Sequence, residues 1–277
     1  MTDAIPRRGV VVGGLVAGFT LATERVLAQA IHTDATGLDA GPTEIPTGNG
    51  NLPAYYARPA GAGPFPVIVV VEEIFGVHEY IRDVCRRFAH AGYLAVAPEL
   101  YARIADLSHM TDPAQIQRDV ISKAPDAQVV ADLDSALAWA TAHRGDPARL
   151  GVNGFCRGGR DTWLLAAQNP RLKAAVAWYG PLGGAPTTIQ PHTAESVAAD
   201  LKCPLLGLYA GSKDPSSTPA QIKAAEDAAR AAGKTVEIVI YPDAGHVFHA
   251  DYRPSYNPAD AADGWSRTLA WFKKYLA

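Results

Sequence analysis

Short apolar runs alternate along this chain with segments in which apolar residues recur at helical spacing. The run at 66–71 is apolar throughout and rich in β-branched residues, which is typical of a strand covered on both faces. Similar runs predict strands at 93–97, 150–152, 174–178, 205–209 and 236–241. Helical spacing predicts helices within 80–88, 130–140, 162–167, 220–232 and 265–276. This alternation predicts a mostly parallel sheet with helices on both faces.

A different pattern precedes the first of these strands. Residues 43–45 and 54–56 flank the segment 48–51, which consists of glycine and asparagine. Such a segment between two strand-like stretches is typical of a tight hairpin turn. We therefore expect an antiparallel hairpin at the edge of the sheet.

The first 30 residues differ from the rest of the chain. Arg7 and Arg8 precede an uncharged stretch at 9–23, and a small-residue pattern follows at 28–30. These are the parts of an export signal, and paired arginines are typical of the twin-arginine route. The uncharged stretch is shorter than the ~20 residues that a membrane-spanning helix needs. We predict a signal peptide over 1–30 and a periplasmic protein without stable membrane insertion after cleavage; a surface helix is the alternative.

Composition indicates which class of protein the remaining chain forms. The 277 residues are 48% hydrophobic and 19% charged, which suits a soluble protein with a large core. We expect one α/β domain over 31–277, although length alone also allows two small domains. A net charge of −3 argues against nucleic acid or an anionic membrane as a partner. The three cysteines match no metal-ligand spacing and cannot all pair, so we expect no metal.

One of these cysteines lies in a Gly-x-Cys-x-Gly pattern, with Cys156 between Gly154 and Gly158. The pattern falls between a predicted strand and a predicted helix, which is the setting of a nucleophile elbow. Flanking glycines leave room for a sharp turn that exposes the sulfur, and the helix start offers free N–H groups. The pattern therefore predicts a nucleophilic thiol; a tight turn around a buried thiol is the alternative.

Two further side chains follow strand ends, where parallel sheets place their chemistry. Asp214 and His246 each follow one of the last two predicted strands. Nucleophile, acid and histidine in this chain order are the parts of a hydrolase triad, so we expect Cys156, Asp214 and His246 to meet. The alternatives are that Asp214 begins a turn or caps a helix, and that His249 is the relevant histidine.

Four separated motifs resemble those of the dienelactone hydrolase family, the cysteine-nucleophile members of the α/β-hydrolase fold. They are Glu-Ile-Phe-Gly at 73–76, Pro-Glu-Leu-Tyr-Ala-Arg at 98–103, Gly-Phe-Cys-Arg-Gly-Gly at 154–159, and Asp214 with Gly-His at 245–246. The resemblance extends from about residue 66 to the C-terminus. It implies a mostly parallel central sheet with helices on both faces and an N-terminal antiparallel hairpin.

The resemblance also implies roles for individual residues. Cys156, His246 and Asp214 would form the triad, in which His246 takes the thiol proton and Asp214 orients the imidazole. Glu73 would be the buried carboxylate that partners the thiol before substrate arrives. Glu72 is the alternative, because adjacent residues of a continued strand point to opposite faces.

Substrate contacts are implied in the same way. The backbone N–H groups of Ile74 and Arg157 would form the oxyanion hole. Arg103 matches an arginine that holds a substrate carboxylate in this family. Tyr101 is a candidate for the pocket wall, with core packing as its alternative.

A second family arginine is missing at its usual place, four residues after the histidine. Ala250 occupies that position, and Arg253 follows three residues later. Arg253 is therefore a candidate replacement; pairing with Asp251 or Asp243 on the surface is the alternative.

These assignments predict a hydrolase that cleaves a small ester or lactone through a thioester, with no cofactor. One alternative is an exported protein that binds a small carboxylate without turnover. Another is a thiol redox protein, against which the absence of a Cys-x-x-Cys pair argues.

Overall fold

The computed structural model describes residues 31–211 and 213–277. The predicted export signal over 1–30 lies outside the described residues and stays a prediction. None of the helices in the described part of the chain is long and apolar enough to cross a membrane.

A single sheet of eight strands runs through the described residues. The strands are β1 (Leu38–Thr47), β2 (Gly50–Pro59), β3 (Phe65–Val71), β4 (Leu94–Pro98), β5 (Gly145–Phe155), β6 (Leu172–Trp178), β7 (Leu205–Ala210) and β8 (Val236–Tyr241). Their order is β1-β2-β4-β3-β5-β6-β7-β8. β1 and β2 pair antiparallel, as do β2 and β4, whereas the other neighbours are parallel. The predicted mostly parallel sheet with an antiparallel hairpin at its edge is confirmed.

Helices cover both faces of this sheet. Within 31–211 and 213–277 the α-helices are α1 (Glu79–His90), α2 (Pro113–Asp119), α3 (Asp126–Ala142), α4 (Arg157–Gln168), α5 (Pro219–Ala231) and α6 (Pro258–Tyr275). Short 3₁₀ turns lie at Leu107–His109, Ile121–Lys123 and Glu195–Asp200.

The alternation of side chains along β3 shows how the two layers form. Val67 and Val69 pack into a core shared with α3, α4 and α5. Ile68 and Val70 point the other way, into a core shared with α1 and α6. A strand buried on both faces must be apolar at every position, which explains the unbroken run that predicted it.

Two features differ from the sequence-based expectations. The hairpin strands are ten residues each, much longer than the segments 43–45 and 54–56 that predicted them. β1 tolerates Pro42 and Pro46 because it is an edge strand. Helix α2 was not expected, although Asp112 caps its first turn by accepting from the Ala114 N–H at 2.9 Å and Pro113 opens it.

Candidate active site

The predicted elbow forms between β5 and α4. Cys156 has φ 52° and ψ −117°, a conformation that non-glycine residues rarely adopt. The turn is tight enough that a Cβ on Gly154 would clash with the backbone of Gly158, and one on Gly158 would clash with the backbone at the end of β3. Two glycines therefore permit the strained nucleophile position between them.

The three residues of the predicted triad meet at the carboxyl end of the sheet. Cys156 Sγ lies 3.2 Å from His246 Nε2. On the other side of the ring, Nδ1 lies 2.9 Å from Asp214 Oδ2 and 3.1 Å from Ser216 Oγ. The Ser216 N–H also donates to Asp214 Oδ1 at 2.7 Å, which fixes the carboxylate. A sulfur, an imidazole and a carboxylate thus stand in line.

This arrangement favours charged forms of the histidine and the aspartate. Burial alone would lower the pKa of His246, but the adjacent Cys156 sulfur and Asp214 carboxylate outweigh it and raise that pKa to about 10. Burial would raise the pKa of Asp214, but hydrogen bonds from His246 and Ser216 lower it. The imidazole is therefore well suited to accept and hold a proton from the thiol.

His249, the alternative histidine, lies in the core. Its Nδ1 is 2.6 Å from the Tyr80 hydroxyl, and its ring packs on Phe155 and Trp178. Burial holds its pKa well below the ordinary value. Its environment is that of a neutral packing residue.

The predicted oxyanion-hole residues are both near Cys156. Arg157 is the first residue of α4, so its backbone N–H is one of those that a helix start leaves without an intrahelical partner. Its guanidinium points away, to Asp126 at 3.4 Å and Asp161 at 3.3 Å. Ile74 lines the same cavity as Cys156.

Glu73 also lines this cavity, and its partners differ from the expectation. Its carboxylate accepts from the Tyr252 hydroxyl at 2.5 Å, and His78 Nε2 lies 3.9 Å away. The sulfur of Cys156 faces His246 instead of Glu73. Burial would raise the pKa of Glu73, but neighbouring His78 and the charge of Arg253 lower it. The carboxylate is thus held ionised in the pocket wall.

Glu72, the alternative carboxylate, lies behind the wall. It is fully buried, and its Oε1 accepts from the Leu100 N–H at 2.8 Å. Burial and the nearby Glu99 raise the pKa of Glu72 well above its ordinary value. The two adjacent glutamates therefore have opposite electrostatic environments.

Arg253 lines the catalytic cavity, whereas the two acids expected as its alternative partners pair elsewhere. Only 6% of Arg253 is exposed, and its guanidinium lies 4.6 Å from the centre of the Phe75 ring. Asp251 pairs with Arg87 at 2.7 Å, and Asp243 lies 3.8 Å from Lys213. The structure thus brings a cation into the cavity from three residues beyond the expected position.

The structure does not bring two other predicted contacts into the cavity. Arg103 forms a two-pronged salt bridge to Asp132 of α3, at 2.6 and 3.2 Å, and also donates to Thr47. Because Asp132 is fully buried and needs a cation, this pairing holds Arg103 away from the site. Tyr101 is fully buried in the core instead of forming pocket wall. The predictions for Arg103 and Tyr101 as substrate contacts are therefore not supported.

The cavity encloses about 270 Å³. Besides the residues above, its wall includes Phe75 of the motif at 73–76 and four residues that the sequence did not point to: Pro113, Ala114, Gln117 and Val247. Three of these belong to α2, whose start signal at Asp112-Pro113 was present in the sequence. Tyr252, the hydrogen-bond donor to Glu73, had no sequence signal beyond its place beside Arg253.

Across 31–211 and 213–277, no group of three or more His, Cys, Asp or Glu side chains is arranged to hold a metal ion.

Comparisons with known proteins show the family of this chain. The sequence profile of the dienelactone hydrolase family matches residues 52–276. A curated relative from Methylorubrum extorquens, provisionally named a carboxymethylenebutenolidase, is 55% identical over 98% of this chain and 94% of its own length. One from Escherichia coli with the same provisional name is 50% identical over 93% of this chain and 95% of its own.

A solved structure gives the same result. The crystal structure of a provisionally named dienelactone hydrolase from Klebsiella pneumoniae has a TM-score of 0.84 and 53% identity, and the match covers 86% of this chain and 99% of that one. The chain therefore belongs to the dienelactone hydrolase family and is a hydrolase of the lactone and ester type.

Proposed function

We propose that this hydrolase opens small esters or lactones through a Cys156–His246–Asp214 triad and a thioester intermediate. The observation that carries the proposal is the in-line geometry at the cavity, with Sγ 3.2 Å from Nε2 and Nδ1 2.9 Å from the aspartate. These distances suit transfer of the thiol proton to the imidazole.

Each step uses groups of this chain and water. Cys156 gives its proton to His246 and attacks the carbonyl carbon. The negative charge that develops on the carbonyl oxygen lies within reach of the Ile74 and Arg157 N–H groups; one such donor contributes ~10²–10³ in rate. The C–O bond then breaks, His246 returns its proton to the leaving oxygen, and an acyl thioester remains on the sulfur.

Water completes the cycle. His246 takes a proton from a water molecule, the hydroxide attacks the thioester, and the thiolate leaves and recovers the proton. The products are a carboxylic acid and an alcohol, joined in one molecule when the substrate is a lactone. Asp214 stabilises the imidazolium in both halves of the reaction.

Arg253 suggests the substrate class. Its buried guanidinium shares a cavity of about 270 Å³ with the nucleophile. A carboxylate is the group that an arginine binds most specifically, because two parallel N–H donors match its two oxygens. We therefore propose a small ester or lactone that carries a carboxylate.

The decisive test replaces each cysteine in turn. Cys156→Ala should lower turnover of a chromogenic short ester by at least ~10³-fold, because it removes the attacking atom. Cys85 and Cys203 are buried thiols, so Cys85→Ala and Cys203→Ala are matched controls that should stay within about twofold of the wild type in kcat. Rapid-quench mass spectrometry should find the acyl group on the peptide that contains residue 156.

The same experiment addresses the alternative of a non-catalytic binding protein. Such a protein would bind small carboxylates but give no turnover beyond the uncatalysed rate, and alkylation of its thiols would change nothing. Full activity in Cys156→Ala would contradict the proposed mechanism.

A further inference from the structure

A second cavity lies beside the catalytic one. It encloses about 300 Å³, and its wall is formed by the end of the loop after β3 and by the segment after β4. Phe75 is common to the two linings. The remainder of the boundary includes His78, which lines the second cavity and lies 3.9 Å from Glu73 of the first.

The second cavity is mostly apolar. Pro53, Val77, Ala105 and Leu107 contribute to its lining. Two of its charged residues already bind the backbone of Val77. Arg82 donates to the Val77 carbonyl at 2.9 Å, and Glu99 accepts from the Val77 N–H at 3.2 Å. Asp106, a third charged residue of the lining, accepts from the Ser108 N–H at 2.9 Å. The mostly apolar lining therefore suits a hydrocarbon chain better than a charged group.

Phe75 is held in the boundary between the cavities. It lines the cavity that contains Cys156 and His246, so it borders the substrate in the proposed mechanism. The guanidinium of Arg253 lies over the Phe75 ring, an arrangement in which cation and aromatic face attract each other. Phe75 is thus the residue that borders both the catalytic cavity and a second cavity of similar size.

We propose that Phe75 is the specificity-determining residue that limits substrate length, and that the second cavity accepts the apolar tail of a longer ester once the ring is removed. The inference rests on the proposed role of the Cys156 cavity as the active site. It assigns to the second cavity a ligand class, a linear alkyl chain on either the acyl or the alcohol side of the ester.

The test measures kcat/KM for two substrate series in the whole enzyme. One series is the p-nitrophenyl esters from acetate to octanoate, and the other is the alkyl acetates from methyl to octyl. In the wild type, kcat/KM should fall beyond about four carbons. In Phe75→Ala, kcat/KM for the eight-carbon chain divided by kcat/KM for the two-carbon chain should rise at least ~10-fold in one series. Each methylene that becomes buried contributes about 3–4-fold to kcat/KM.

Two further variants connect this gain to the second cavity. Phe75→Tyr keeps an aromatic ring in the boundary and should retain the wild-type ratio. Ala105→Trp fills the second cavity, so the double variant Phe75→Ala/Ala105→Trp should lose most of the gain. If that double variant is unstable by thermal melting, Ala102→Trp, which adds bulk at an exposed position of the same lining, takes its place.

Two results would overturn the inference. One is an unchanged chain-length profile in Phe75→Ala for both series. The other is a gain that persists when the second cavity is filled, since the tail would then occupy only the space of the removed ring. Neither result affects the proposed function, because the two-carbon ester would still be cleaved, and Cys156→Ala in the Phe75→Ala background would still abolish that cleavage.

Discussion

The wall of the catalytic cavity and the packed core behind it contain the same kinds of ionisable side chain in opposite states. In the core, burial raises the pKa values of Cys85 and Glu72 and lowers that of His249, so each is driven toward its neutral form. In the wall, the pKa of Glu73 is lowered and that of His246 is raised, so both are driven toward their charged forms.

The difference comes from partners, because both regions are largely shielded from water. Desolvation acts on every member of both sets and always disfavours the charge. It prevails where no opposite charge is adjacent, as around His249, whose pKa the charge of Arg87 lowers further. It is outweighed where an opposite charge or a hydrogen-bond donor is adjacent, as around His246 and Glu73. Residue type and burial therefore do not identify the reactive set, whereas the arrangement of partners does.

The largest expected effect separates the two histidines. His246→Gln should lower kcat by about 10²–10⁴-fold, because the amide cannot carry the proton between sulfur and leaving group. His249→Gln should leave kcat within a few fold but lower the free energy of unfolding by about 1–3 kcal/mol, because ring packing and the bond to Tyr80 are lost. Steady-state kinetics and urea unfolding of both variants measure the two effects.

The contrast between the cavity wall and the core would be wrong if His249→Gln, and not only His246→Gln, impaired catalysis. A kinetic defect in His249→Gln as large as that in His246→Gln, in a protein that is still folded, would mean that the core layer takes part in the reaction.

A medium effect separates the two arginines that the sequence proposed as carboxylate ligands. Arg253→Met should lower kcat/KM by at least about 30-fold for a carboxylate-bearing ester. The substrate carboxylate would then be buried in the cavity without the guanidinium that pairs with it. The effect of Arg253→Met on an uncharged ester of the same size should be small. Arg103→Met removes the pair with Asp132 and the bond to Thr47, both outside the catalytic cavity, and should leave the preference between the two esters unchanged.

Arg253→Lys sharpens this prediction. Lysine keeps the charge but cannot form the two-pronged contact, so it should restore only part of the preference. Equal losses on both esters in Arg253→Met would show that Arg253 supports the fold of the pocket rather than recognition of a carboxylate.

The fold could be predicted from local signals because its central strands are buried on both faces. The run at 66–71 and most of its successors are apolar without interruption, although Glu237 interrupts the last one, and turns or helix-like segments separate them. Edge elements were predicted less fully. β1 contains two prolines that mask a strand, and α2 is too short for helical spacing to be recognised.

In the candidate site, too, some residues could be predicted from the sequence and others could not. Cys156, Asp214 and His246 are each tied to a strand end, so topology brings them together and chain order predicts them. Arg103 and Arg253 lie in irregular segments, and their directions depend on distant partners that no local pattern reveals. Arg103 turns toward Asp132, a residue 29 positions later, while Arg253 turns into the cavity.

The smallest expected effect concerns the two adjacent glutamates and depends on pH. The pKa of Glu72 in the folded protein is above the ordinary value of 4.5 that applies to the unfolded chain. At pH values between these two pKa values, the folded state holds a proton that the unfolded state has released. Stability must therefore fall as pH rises above about 4.5. Glu72→Gln removes this loss while its amide oxygen can still accept from the Leu100 N–H.

We expect the melting temperature of Glu72→Gln to match that of the wild type near pH 4 and to exceed it by about 2–4 °C at pH 7, the shift that ~1 kcal/mol produces in a domain of this size. Glu73→Gln is the matched control of opposite sign. The pKa of Glu73 is lowered, so its contribution to stability is present above the ordinary value and is lost as pH falls through the folded pKa. Glu73→Gln should therefore be less stable than the wild type at pH 7, and the gap should narrow in acid. If melting temperature changed with pH in the same way in both variants, the carboxylates in the pocket wall and in the core behind it would not have the opposite pKa shifts that their partners indicate.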